Sequence, residues 1–537
     1  MSIRRAVTAL SLCAAALTAP TTKRAVDFNW GSETIRGVNI GGWLVLEPWI
    51  TPSVFDKANE GRPQRDIIDE YTLGEKLGRD AAIKVLRKHW DTFATWQDFK
   101  RIKDAGFNIV RIPVGYWAYD TFDSPYVAGA RVYVDAAIDW ARSLDLKIMI
   151  DLHGAPGSQN GYDNSGQRLD VPQWQSGDTV KETLQVLKTI SDKYAQPKYQ
   201  DVIIGIQLLN EPAMYLDNIS EDVTRQFHRD GFYQVRDTSD TTVILHDGFI
   251  RPNEWNGFLT PSDNNAQNVA MDHHEYQVFN NDLIQLKPSQ HNHKVCDLAD
   301  AYGGADKWTF VGEWSGAMTD CTKYLNGLGR GARYNGTYLG SAYQGDCSFA
   351  NDFSKWDQTR KDDVRKYIET QIHAFETKTQ GWVFWNFKTE NAYEWDALAL
   401  VDAGVFPAIR NGRVEYKFPK ALPALHSDDP ADEIVVLQYT ANPLTQHAHK
   451  RDPAQTATSH DAALTYPCRH SGYAFPPSFA QPFYLTTPKI PLLLFAAPNT
   501  PERHITAFSL PPRTPSYDEH PSFAARLATE IDLRPTH

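Results

Sequence analysis

TFVGEWS, at 309–315, is a β-branched, apolar run that ends in a lone carboxylate, Glu313, between Gly312 and Trp314. An earlier run of the same form, IGIQLLNEP at 204–212, ends at Glu211. Runs that stay apolar on successive residues are strands buried on both faces, because a sheet covered by helices on each side has no wet face. Two such strands in one sheet bring two carboxyl groups to a common rim.

Working outward, six more runs have this character: 35–45, 108–114, 147–153, 242–247, 269–274 and 382–387. With 203–210 and 309–313 they make eight. Stretches of helical period lie between them, at 80–105, 132–144, 179–194, 221–236 and 361–379. Eight strands alternating with helices predict an α/β fold, a (β/α)8 TIM barrel with long loops. An open doubly wound sheet is the alternative, but no glycine-rich phosphate turn follows the first strand. In a barrel the strand ends meet at one face. There the chain places Arg111, His153, Asn210, Glu211, Asp247, His273, His274, Tyr276, Glu313 and Trp385. Each alone has an ordinary structural explanation, such as a core histidine or a loop cap. Their recurrence after nearly every apolar run does not.

The chain has 537 residues and a formal net charge of -12, which argues against a nucleic-acid partner. Aromatic residues make up 12%, with 15 Trp, an excess suited to stacking on sugar C–H faces or to filling a large core. Arg4 and Arg5 precede the apolar run 6–17, and 1–19 reads as a secretory signal peptide. Residues 20–24 form a propeptide candidate ending in Lys23-Arg24. No later run reaches the roughly eighteen apolar residues of a membrane span. The expectation is a secreted protein of the extracellular space or cell wall. The catalytic region is read as 25–420. Beyond it, 421–537 holds 17 of the 32 Pro, one of the 33 Gly and no Trp, and reads as a low-order or mispredicted tail. Cys13 falls in the signal; of Cys296, Cys321, Cys347 and Cys468, the pair Cys321 and Cys347 makes a plausible local bridge. No Cys/His spacing resembles a metal site. Asn218 and Asn335 stand in N-x-S/T sequons.

Cleaving an acetal takes a proton on the leaving oxygen and a partner for the oxocarbenium-like carbon. Retaining enzymes use two carboxyls about 5 Å apart, one as acid/base and one as nucleophile. Glu211 and Glu313, on the fourth and seventh strands, suit that task. Arg111 is expected to keep Glu313 ionised, and burial beside an ionised carboxylate to raise Glu211. Asn210 is suited to donate to a sugar 2-hydroxyl. Tyr276 and His274 can hold the nucleophile or ring hydroxyls, and Trp385 offers a stacking floor.

Eight stretches carry a resemblance: RGVNIGGWLVLEPWITPSVF (36–55), GFNIVRIPVGYWAY (106–119), DLHGAPGSQNGYDNSG (151–166), LLNEP (208–212), DHHEYQVF (272–279), VGEWSGAMTDC (311–321), LNGLGRGARY (325–334) and GWVFWNFKTENAYEW (381–395). Together, in this order, they resemble glycoside hydrolase family 5, in its branch of fungal secreted exo-β-1,3-glucanases. The resemblance implies a (β/α)8 barrel, retention of configuration, no metal and no cofactor, Glu211 as acid/base and Glu313 as nucleophile. It matches Arg111, His153, Asn210, His274, Tyr276 and Trp385 to the family's remaining active-site set. It matches Glu47 and Asn164 to contacts with the terminal glucose, and Tyr162 and Phe279 to an aromatic clamp on the next sugar. The expected substrate is a β-glucan polysaccharide, cut by a monomer that releases glucose from non-reducing ends. β-1,6-Glucan cleavage and transglycosylation are the sister alternatives; a non-catalytic wall-binding barrel is the remote one.

The chain departs from the family pattern in places. Glu275 lies between His274 and Tyr276, and on a strand should point away from both. Phe387 stands where relatives often have Trp, and Tyr162 where Phe is common. After 404–407 the final Cys that closes a bridge to the position of Cys296 is missing, which leaves Cys468.

Overall fold

The computed structural model describes residues 26–418. Eight parallel strands close on themselves: β1 (Ile35–Asn39), β2 (Ile109–Gly115), β3 (Lys147–Gly154), β4 (Ile203–Gln207), β5 (Thr242–His246), β6 (Val269–His274), β7 (Trp308–Glu313) and β8 (Gly381–Phe384), with β8 paired to β1. The barrel expected from the alternation is the fold. Helices at Arg131–Leu144, Thr179–Tyr194, Glu221–Thr238, Pro288–Tyr302 and Gln358–Lys378 follow its strands.

Four strands stop short of their apolar runs: β1 at Asn39, β4 at Gln207, β5 at His246 and β8 at Phe384. The chain leaves the ladder there, through Gly42 at φ +73° and Glu211 at φ +46°. The apolar side chains beyond pack the rim instead of extending the sheet. The stretch 80–105, read as one helix, is two, Arg79–Thr92 and Trp96–Asp104. Thr95 is extended between them, and its side chain and that of Asp98 cap each other's backbone N–H.

Inside the barrel each strand gives one residue to an apolar floor: Ile35, Ile109, Met149, Ile204, Ile244, Ala270, Phe310 and Val383. Phe28 and Trp30 close it from below, with Trp30 stacked on Trp308 at 5.7 Å and donating to the Ile204 carbonyl. Burying an Ile, Met or Phe side chain stabilises the fold by about 1.5–3 kcal/mol. Strand alternation puts residues two positions on into the next layer, and four of these are polar: Arg111, Asp151, His246 and Asp272.

Two irregularities break that alternation. β3 pairs Ile148 with Ile203 and Met149 with Gly205, so Ile204 is an extra residue in β4 and Gln207 turns inward. β6 pairs His273 with Val311 and His274 with Glu313, so Gly312 is extra in β7 and Glu313 turns to the interior.

The Cys321–Cys347 bridge is formed. Closing a loop of this size stabilises by about 3 kcal/mol. Cys468, the cysteine left for Cys296, lies outside the described residues, as do the signal, the propeptide candidate and the tail. Among the described residues no helix is long and apolar enough to cross a membrane. A short hairpin absent from the sequence reading, β9 (Ala408–Arg410) with β10 (Arg413–Glu415), lies against the helix Gln358–Lys378. Arg365 of that helix donates to the carbonyls of Gly404, Phe406 and Glu415 and pairs with Glu369 at 2.5 Å. Glu369 in turn accepts the backbone N–H groups of Lys417 and Phe418. Arg365→Ala leaves the buried Glu369 without its cation and three carbonyls without a donor. Chemical denaturation should report a loss of about 3–5 kcal/mol, and hydrogen exchange should rise first in 404–418.

Candidate active site

Arg111 sits on the barrel axis, fully buried, with an acceptor for each of its five N–H groups. Nε donates to Gln207 Oε1 at 2.7 Å. Nη1 donates to Asn39 Oδ1 at 2.9 Å and Glu313 Oε1 at 3.0 Å. Nη2 donates to Asn210 Oδ1 at 2.7 Å and faces Asp151 Oδ2 at 3.1 Å. Asp272 lies 3.8 Å from Nε and accepts from Gln207 Nε2. Space for that carboxylate exists because residue 312 has no Cβ: one added to Gly312 would fall 2.0 Å from Asp272 Oδ1.

Glu211 leaves β4 in the left-handed region, a conformation that destabilises a non-glycine residue by about 1 kcal/mol. Gln159 holds the turn by donating to the carbonyls of His153 and Asn210. Glu211 Oε1 meets His274 Nδ1 at 2.8 Å, and Oε2 accepts from Asn164 Nδ2 at 2.9 Å. Glu313 Oε2 accepts from Tyr276 Oη at 3.0 Å and lies 3.5 Å from the same His274 nitrogen. The two carboxylate oxygens therefore stand no farther apart than those two His274 distances combined. That is compatible with the about 5–5.5 Å of a retaining pair and short of the roughly 6.5–9.5 Å of an inverting one.

His274 Nε2 faces Asp272 Oδ2 at 3.2 Å, so both ring nitrogens lie on carboxylates. Burial lowers its pKa, but Glu313, Asp272 and Glu211 outweigh burial and raise it well above an ordinary histidine. This reverses the order expected for the glutamates. Burial pushes Glu211 up, yet the hydrogen bond and charge of His274 outweigh it and hold the carboxyl down at about 2. Glu313 is raised, by burial first and by the Glu211 charge, against the pull of His274 and Arg111. The sequence reading counted Arg111 as the only cation; His274 supplies the second and sits closer to Glu211.

The other predicted residues surround this core. His153 is buried, bonded through Nδ1 to Asp151 at 2.7 Å and stacked on Trp385 at 5.4 Å. Trp385 lies over Gly41, where a Cβ would fall 2.6 Å from the indole. Asn210 Nδ2 and Glu47 Oε1 are buried without a protein partner among the described residues. Glu47 Oε2 accepts from Trp49 Nε1, and burial with the nearby Asp163 raises its pKa well above the usual range. Tyr162, 38% exposed, pairs its hydroxyl with Tyr215, whereas Phe279 packs on Tyr276 at 5.7 Å. The two clamp candidates thus stand on separate aromatic clusters. Glu275 turns away from the site, as expected, and faces His273 Nε2 at 3.5 Å.

Sequence reasoning missed Asn39, Asp151, Asp163, Gln207, His246 and Asp272. Two of them had a signal. Asp151 and Asp272 each precede a site histidine by two residues, D-x-H, and that spacing puts both side chains on one face of a strand.

Glu211, His246 and His274 place ligand-type atoms within 4.8 Å of one another. Their hydrogen bonds do not fit a metal. His246 Nδ1 accepts from the Gly248 N–H, which leaves the proton of the neutral ring on Nε2, and both nitrogens of His274 face carboxylates, whose charge raises its pKa and favours the protonated ring over a ligand.

The chain is similar to known proteins over most of its described length. The family described as Cellulase (glycosyl hydrolase family 5) matches residues 75–338. A glucan 1,3-beta-glucosidase of Blumeria graminis is 45% identical over 405 residues, 74% of this chain and 92% of that protein. A probable glucan 1,3-beta-glucosidase A of Aspergillus fumigatus is 46% identical over 393 residues, 72% of this chain and 90% of that protein. Among solved structures, a rutinosidase from Aspergillus niger shares the fold, with a TM-score of 0.56 at 20% identity over 71% of this chain and 99% of that one.

Gly312→Ala forces a methyl group into the Asp272 carboxylate, which cannot retreat from Gln207 and His274. The expected loss is about 1–3 kcal/mol, read by thermal denaturation.

Proposed function

This chain belongs to glycosyl hydrolase family 5, and on that premise we propose that it is a retaining exo-1,3-β-glucosidase releasing glucose from the non-reducing ends of β-1,3-glucan. One observation carries the reading: Glu211 and Glu313 contact the same nitrogen of His274. Glu313 attacks the anomeric carbon while Glu211 gives its proton to the leaving oxygen, forming a glycosyl-enzyme. Water then attacks that carbon, Glu211 takes the water's proton, and Glu313 departs as a carboxylate.

Arg111 and Tyr276 each bond one oxygen of Glu313, which fixes the attacking plane. The unpartnered Asn210 Nδ2 is a donor for the sugar 2-hydroxyl. Glu47 and Asn164 hold the terminal glucose over Trp385, and Tyr162 and Phe279 flank the next sugar. In the free site the proton that Glu211 must donate rests on His274. It passes along the 2.8 Å bond to Glu211 as substrate replaces water. The enzyme acts as a monomer outside the cell, a placement supported by the signal-like N-terminal sequence.

Laminarin should yield glucose as the sole early product by thin-layer analysis. A ladder of oligomers overturns exo action, and glucose from β-1,6-glucan alone overturns the linkage. Glu211→Gln and Glu313→Gln should each lower kcat/KM by about 10²–10⁴-fold; near-normal turnover removes that residue from the pair. In the pH profile of kcat/KM the acid limb reports protonation of Glu313, and its raised pKa puts that limb above the ordinary glutamate value. The alkaline limb reports loss of the shared proton from His274 and Glu211, and lies above the ordinary histidine value.

A further inference from the structure

β5 ends at His246, and the chain then turns through three left-handed residues, Gly248 at φ +64°, Phe249 at φ +66° and Arg251 at φ +102°. The turn aims the Gly248 N–H at His246 Nδ1, 2.9 Å away. A nitrogen that accepts carries no proton, so the neutral ring holds its proton on Nε2. The ring is 0% exposed and wedged edge-to-face against His274 at 4.4 Å and Phe249 at 5.1 Å. Nε2 has no protein partner among the described residues. One ring nitrogen lies within 4.8 Å of both a Glu211 oxygen and a His274 nitrogen.

A buried N–H without a partner destabilises a fold by about 1–3 kcal/mol, and a left-handed Phe249 adds about 1 kcal/mol. Both are concentrated beside Glu211, on two residues that neither step of the reaction uses. We propose that His246 is a positioning residue for the acid step: a fixed neutral N–H donor that holds the Glu211 carboxyl group in its orientation, through its dipole or one intervening water. This rests on the reading of Glu211 as acid/base. A fixed donor beside the carboxyl group steadies its orientation toward the leaving oxygen, and that orientation counts most when the departing group is a poor one that must be protonated. Neutrality matters as well, since a second cation beside His274 would hold Glu211 permanently ionised. Burial and the His274 charge keep His246 neutral by lowering its pKa to about 4.

The test compares His246→Phe, which fills the space without a donor, with His246→Gln, which returns an N–H near the Nε2 position. kcat/KM is measured on laminaribiose, whose sugar leaves only when protonated, and on dinitrophenyl β-glucoside, whose phenolate leaves unaided. His246→Phe should lose about ten times more activity on laminaribiose than on the dinitrophenyl substrate, a part of the full acid contribution. His246→Gln should recover most of that difference. Equal losses on both substrates, no recovery with Gln, or unchanged activity on laminaribiose overturns the proposal. If the Phe variant does not fold by thermal denaturation, His246→Leu takes its place under the same criteria. Inactivity of the wild-type enzyme on both substrates overturns the glucosidase reading itself, and the proposal with it.

Discussion

The guanidinium of Arg111 is the contact on which the rest depends. It is saturated by Asn39 from β1, Asp151 from β3, Gln207 from β4 with Asn210 just beyond its end, and Glu313 from β7. A single rigid fork therefore sets the relative heights of four strands. The geometry is specific to arginine: an ammonium group has three donors and no plane, and cannot hold five acceptors. A buried cation is expensive by itself, and here it is tolerated because Asp151, Asp272 and Glu313 surround it. Without it those buried carboxylates repel one another in a low-dielectric interior.

Around this fork the barrel is layered by polarity. The floor is apolar and tightly filled, so it resists deformation. The layer above is polar and tied together by hydrogen bonds through Arg111, Gln207 and His274. Asn210 Nδ2, Glu47 Oε1, His153 Nε2 and His246 Nε2 are buried without a protein partner among the described residues, as are Asp151 Oδ1 and Asp272 Oδ1 within the layer. Unpaired buried groups are destabilising, and those beside the two glutamates offer a ligand bonds that the protein leaves unmade. His274 joins the layers, because it faces Asp272 below and both glutamates above.

Much of this was legible in the sequence. The eight apolar runs marked the strands because parallel strands covered by helices lose the alternation that a half-wet sheet would show. The residues at their ends marked the face. Two things were hidden. The inward turn of Gln207 and Glu313 depends on one extra residue in β4 and one in β7, and an extra residue is defined only against its partner strand. The order of the two glutamate pKa values depends on which carboxylate lies nearer the His274 cation, a difference of less than an ångström. No spacing in a sequence carries that. The boundary between the helices at Arg79–Thr92 and Trp96–Asp104 was readable, since Thr95 and Asp98 form a capping pattern, but helical period alone ran through it.

The apolar floor also governs traffic. Phe28, Trp30 and the layer they cover seal the far end, so the barrel is a blind well and not a tunnel. Glucose freed at the bottom of such a well can leave only through the mouth by which the polymer entered. The closed floor therefore leaves the two glutamates reachable along the barrel axis from one side alone, and polymer and released sugar share that side.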